Sequence, residues 1–210
     1  FYSYSHAATS ADFWQAPAFG GPDFTWTGAG GGDAVDTAGN WEGDAAPSRQ
    51  ENKGPHLIFN DVDVTVTGTP PNTSDGGGIS VTGNSNVSVS LGQWGGSVYV
   101  GAGSTLSTTF SNQIKSMEAE GHANIYVDGT LNLTTPGGNL NFDNGTGSGS
   151  HYWHIGLDGM INLSNTTTVT KNDRTWNVEV VVAGAMEALT VTNRELVDDA
   201  LLTRYFMSTG

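Results

Sequence analysis

Cysteine is absent from the 210-residue chain, so neither a disulfide framework nor thiol chemistry is open to it. Basic residues are scarce: seven Lys and Arg stand against 21 Asp and Glu, for a formal net charge of −14. A nucleic-acid binder must neutralise phosphates, which this chain cannot do. An acidic membrane surface or a polyanionic polysaccharide would be repelled for the same reason. No apolar run approaches the length that spans a bilayer, so no membrane insertion is expected. Charged residues are also few, at 13%, while apolar runs recur throughout, and that combination excludes a disordered chain. H-E-x-x-H, G-x-S-x-G and P-loop patterns are missing. The opening FYSYSHAATS has neither a basic n-region nor an apolar h-region, so either a signal peptide has been removed or the sequence begins inside a longer protein.

What is present is glycine, 30 of them, amid many Thr, Ser and Asn. This is the composition of short strands joined by tight turns, and it points to an exported bacterial protein. A repeat runs through the middle of the chain. IYVDGTLNL (125–133), IGLDGMINL (155–163) and VVVAGAMEA (180–188) each alternate apolar residues on both sides of a small central residue. VYVGAGSTL (98–106) and ISVTGNSNV (79–87) fit the same frame, and LIFNDVDV fits it more loosely around Asn60. The centres fall at 60, 83, 102, 129, 159 and 184. Alternation places Ile125, Val127, Leu131 and Leu133 on one face, and the small centre lets the chain turn a corner. A unit of this kind cannot bury its apolar face alone, whereas stacked copies share one core. The expected fold is all-β: a parallel β-solenoid of about six irregular coils over 56–192, between an N-terminal cap (1–55) and a C-terminal helical cap (193–210). The helix is expected from Leu196, Ala200 and Leu201 at helical spacing, with Asn193 as N-cap.

The N-terminal stretch FTWTGAGGGDAVDTAGNWEGDAAP carries a W-T-G-x-G-G…N-W-x-G pattern through Trp26, Gly28, Gly31, Asn40, Trp41 and Gly43. In this it resembles the autotransporter-associated and PEP-CTERM-type repeat proteins of bacteria, with AVDTA where those carry a further tryptophan. The resemblance implies an exported β-solenoid on the cell surface, often adhesive, and the function expected of the chain is that of a secreted or surface-displayed module binding a host or matrix glycoprotein. As a whole the chain also looks like an exported protein of a mucus-dwelling bacterium, for which an aspartic-type peptidase acting on glycoproteins such as mucin is the alternative.

That alternative has two loops to draw on. Aspartic peptidases hold two carboxylates on ϕ-Asp-Thr/Ser-Gly/Ala loops, where they share one proton because like charges in contact cannot both ionise. VDTAG supplies Asp36 with Thr37 and Gly39 in support. FDNGTGS supplies Asp143 with Asn144 and Gly145, Asn144 replacing the usual threonine. Both stretches also read as turns, and a turn projecting between coils is the preferred reading of Asp143. His151 and His154, three residues apart, point to opposite faces of a strand and make a joint metal site unattractive. Asp61 and Asp63 read as solvated turns rather than a calcium site. No metal or cofactor is expected. Trp94, Trp153 and Trp176 are candidates for stacking on sugar rings if exposed, and core residues if buried. The oligomeric state is open, a dimer included.

Overall fold

The computed structural model describes residues 19–73, 75–91, 96–110, 113–115, 122–134, 139–143, 149–156, 158–164, 168–171, 175–182, 189–191 and 195–196. Seventeen strands and one short 3-10 helix, Ala38–Asn40, lie among them. The strands form three sheets, and every strand pairing within them is parallel.

Sheet 1 stacks, in order, β1 (Asp23–Thr25), β2 (His56–Asn60), β4 (Gly78–Thr82), β6 (Ser97–Val100), β9 (His122–Val127), β12 (Gly149–Ile155) and β15 (Thr175–Val182). Sheet 2 stacks β3 (Asp63–Val66), β5 (Asn86–Leu91), β7 (Thr105–Phe110), β10 (Thr130–Thr134), β13 (Met160–Ser164) and β16 (Leu189–Val191). Sheet 3 holds β8 (Gln113–Lys115), β11 (Asn139–Asp143), β14 (Thr168–Lys171) and β17 (Glu195–Leu196). The chain thus passes from a strand of sheet 1 to one of sheet 2, in the later layers to one of sheet 3, and returns to sheet 1 one strand further along.

The period-two pattern explains the core. Leu57, Ile79, Val98, Ile125 and Trp153 stand in register as one buried column, and Phe59, Val81, Val100, Val127 and Ile155 as the next. Across the corner, Val64, Val87, Leu106, Leu131 and Ile161 form a third. Intervening residues face the other way and, Ile58 apart, are polar or aromatic.

Four of the expected centres, Gly83, Ala102, Gly129 and Gly159, lie between a strand of sheet 1 and the following strand of sheet 2; Asn60 ends β2, and residue 184 lies outside the described residues. Their glycines answer to two different demands. Gly83 has φ 68°, a left-handed conformation that suits glycine. Gly129 and Gly159 are required by crowding: a Cβ on Gly129 would lie 2.2 Å from the Ser104 carbonyl oxygen, and one on Gly159 would lie 2.1 Å from that of Val127. Stacked corners touch backbone to backbone.

Three expectations change. Asp143 does not project in a loop; it ends β11, in register with Lys115, because NLNFD alternates and finds a strand neighbour on each side. The N-terminal region supplies a strand as well as a cover, since β1 pairs with β2. Where a C-terminal helix was expected, Glu195 and Leu196 are strand, paired with Thr168 and Val169, the open edge of β14 offering backbone partners that outweigh a weak helical pattern. Residues 193–194 and 197–210 lie outside the described residues.

Candidate functional site

Asp36 sits in an exposed turn just after Val35, whose N–H donates to the Thr67 carbonyl beside β3. Thr37 precedes the 3-10 helix without capping it through its side chain. Gly39 lets that helix meet Gly30 closely, for a Cβ on Gly39 would lie 3.0 Å from the Gly30 Cα. The glycine of VDTAG therefore serves a local crossing of two segments. Asp143 belongs to the layer of β10, three strands along from β3. That separation amounts to about 14 Å of stacking, so the strand order does not bring Asp36 and Asp143 to the contact that a shared proton needs. Asn144 and Gly145 lie outside the described residues, as does Trp94. Trp176 falls at the register shift between β12 and β15. Trp153 is 2% exposed and belongs to the core, which removes it from the sugar-stacking candidates: its position on β12 is an inward one.

The structure also assembles groups that the sequence keeps far apart. His56 opens β2, with Asp23 in register on one side, and Ser80 lies two residues further along on β4. His56 Nδ1 is 2.7 Å from Asp23 Oδ1, and its Nε2 is 2.7 Å from Ser80 Oγ. A carboxylate only accepts, so Nδ1–H donates to Asp23 and Nε2 accepts the serine hydroxyl. Burial lowers the His56 pKa, against the raising influence of the Asp23 hydrogen bond and charge. Phe19 stacks on the imidazole at 3.6 Å and 7°.

Serine, histidine and aspartate in series resemble a nucleophile relay, but the surroundings are inverted for one. Ser80 is 7% exposed, while the Asp23 side chain is 69% exposed. Strand β4 is flanked on both sides, so its backbone N–H groups are engaged in the ladders and none remains to stabilise an oxyanion. The arrangement instead clasps three strands and holds Phe19 down. No sequence spacing announces it, because it depends on register between strands.

Two outer faces complete the picture. On sheet 1, Ser80, Tyr99, Tyr126 and His154 stand in one outward row. Tyr126 and His154 stack at 4.8 Å and 11°, and burial raises the Tyr126 pKa and lowers that of His154. On sheet 2, the outward row Thr65, Ser88, Ser107, Asn132 and Asn162 is in register from strand to strand. A second row, Ser90, Thr109, Thr134, runs parallel to it. Thr65, Ser88, Ser107 and Asn132 of the first row and all of the second line an open groove of about 410 Å³. Asn132 Nδ2 donates to Ser107 Oγ at 3.1 Å, and Asn162 Nδ2 donates to Asn132 Oδ1 at 2.9 Å. Chemically the groove offers hydroxyls and amides and no charge.

Set against models of protein families, curated proteins and solved structures, the chain matches none of them.

Proposed function

We propose that the chain is a parallel β-solenoid of about six coils, exported and displayed at a bacterial surface in the manner of the autotransporter-associated and PEP-CTERM-type proteins it resembles. Its function is binding: it holds host or matrix glycoproteins. The observation that carries this reading is the parallel register of sheets 1 and 2 over buried apolar columns, shifted between β12 and β15, which turns outward side chains into long, regular rows. Rows on a rigid scaffold suit an extended ligand better than a small substrate. An acid peptidase built on Asp36 and Asp143 would need a dyad formed between two copies of the chain.

The test is capture of a mucin-type glycoprotein by the immobilised chain, before and after the glycans are stripped. Capture that depends on the glycans is the expected result. No capture in either state, with acid-pH cleavage of mucin that Asp36→Asn and Asp143→Asn abolish, would replace binding by proteolysis.

A further inference from the structure

We propose that the groove on the outer face of sheet 2 is the binding site for an uncharged glycan chain lying across the strands. This rests on the binding function proposed above and names its ligand class.

The argument starts from the side chains. Thr65, Ser88, Ser107 and Asn132 repeat once per strand, and Ser90, Thr109 and Thr134 repeat beside them. Strand spacing and pleat set the grid: about 4.8 Å from layer to layer, and about 6.8 Å between residues two apart on one strand. A grid that repeats in the stacking direction matches a ligand that repeats in that direction, which means a polymer. Every group along the rows is a hydroxyl or a carboxamide, and each can both donate and accept. The natural complement is a polyhydroxylated chain.

Charge narrows the class further. No Lys or Arg lines the groove, and the whole chain carries a formal −14, so uronates, sulfates and phosphates find no partner and meet a repulsive field. A peptide strand is not favoured either, because β5, β7 and β10 are each paired on both sides and present no free backbone edge. Pre-organisation comes from within. The run Asn162 to Asn132 to Ser107 fixes both amide orientations and occupies a Ser107 lone pair, which leaves that hydroxyl free to donate. Among the described residues, no hydrogen bond engages the hydroxyls of Ser88, Ser90 or Thr109. With no aromatic platform in the groove, each sugar contributes little and affinity grows with chain length.

The experiment titrates the whole chain with neutral oligomers of glucose and of N-acetylglucosamine of increasing length, and with an oligouronate of matched length. The expected result is binding to one neutral series that strengthens with length, with no oligouronate binding. The paired variant Ser88→Lys/Ser107→Lys should weaken it by about tenfold or more, by blocking the groove and removing donors. Ser88→Ala/Ser107→Ala, which leaves the shape intact, should weaken it less. Tyr99→Lys, on the outer face of sheet 1, should leave it unchanged. Equal losses from the sheet 1 variant, equal binding of the oligouronate, or slowed ice growth by the wild type without any glycan binding (an ordered-water face) would each overturn the proposal. Glycan-dependent capture of mucin that survives the groove variants would sink the groove while sparing the binding function. Absence of all capture would sink the binding function itself.

Discussion

The N-terminal region, residues 23–67, and the middle layers, residues 78–134, enclose one core by opposite means. In the middle, each inward position has an equivalent one layer on, and plain aliphatic side chains in register suffice: Ile79, Val98 and Ile125, or Val87, Leu106 and Leu131. At the N-terminal end β1 has one strand neighbour, and aromatic side chains with individual geometry replace the missing layer. Trp41, 1% exposed, meets Trp26 edge-on at 5.0 Å and Phe59 at 5.9 Å, and donates from Nε1 to the Val35 carbonyl. Asn40, fully buried, accepts from Gly30 N–H and donates to the carbonyls of Gly32 and Ala34. Repetition makes the middle tolerant; singular contacts make the end exacting.

Substitutions can break or sharpen that contrast. Trp41→Ala removes the ring on which Trp26, Phe24 and Phe59 converge, and should destabilise the chain by about 3–5 kcal/mol in urea unfolding. A loss no larger than that of Val98→Ala would erase the distinction between end and middle. Asn40→Ala takes their side-chain partner from the backbone groups of Gly30, Gly32 and Ala34, and should cost about 1–2 kcal/mol. In the middle the contrast runs the other way. Thr108 occupies an inward position between Val89 and Leu133, and its buried hydroxyl has no partner among the described residues. Thr108→Val should therefore stabilise by about 1 kcal/mol, visible as a raised Tm.

The smallest effect concerns pH. The His56 pKa is depressed by burial, so the unfolded chain takes up a proton that the folded chain resists. Its contribution to stability is complete above the unfolded value near 6.5 and is lost as pH falls through the folded one. His154, depressed for the same reason, acts in the same direction. Stability should fall below about pH 6.5, and His56→Gln should flatten that slope in part. An unchanged slope in His56→Gln would mean that the clasp is not what acid loosens.

Much of the fold was legible because the period-two alternation around Gly83, Ala102, Gly129 and Gly159 writes strand, corner, strand directly into the sequence. Sheet 3 was not legible. Its strands QIK, NLNFD, TVTK and EL are two to five residues long, too short for their alternation to stand out from the surrounding turns. The Trp26 and Asn40-Trp41 motif was visible, yet nothing in it told that both tryptophans are buried and that the asparagine side chain holds three backbone groups of the loop 30–34. The Asp23, His56 and Ser80 clasp was invisible for a different reason: its members are 33 and 24 residues apart, and only strand register sets their distance. The hydroxyl rows stood in the sequence as T-V-T, S-V-S and N-L-T, but without register they read as ordinary strand exteriors.

The parallel register also decides how the molecule carries mechanical load. Backbone hydrogen bonds in all three sheets run from layer to layer, so tension in the stacking direction pulls on them lengthwise and opens one junction at a time. The first junction, β1 on β2, has only three paired residues and by itself would part easily. The Asp23–His56 hydrogen bond and the Trp26–Phe59 contact span it as well. Pulled from that end, the chain meets a reinforced first junction, and later layers then peel away singly, each giving up its few bonds before the next takes the strain.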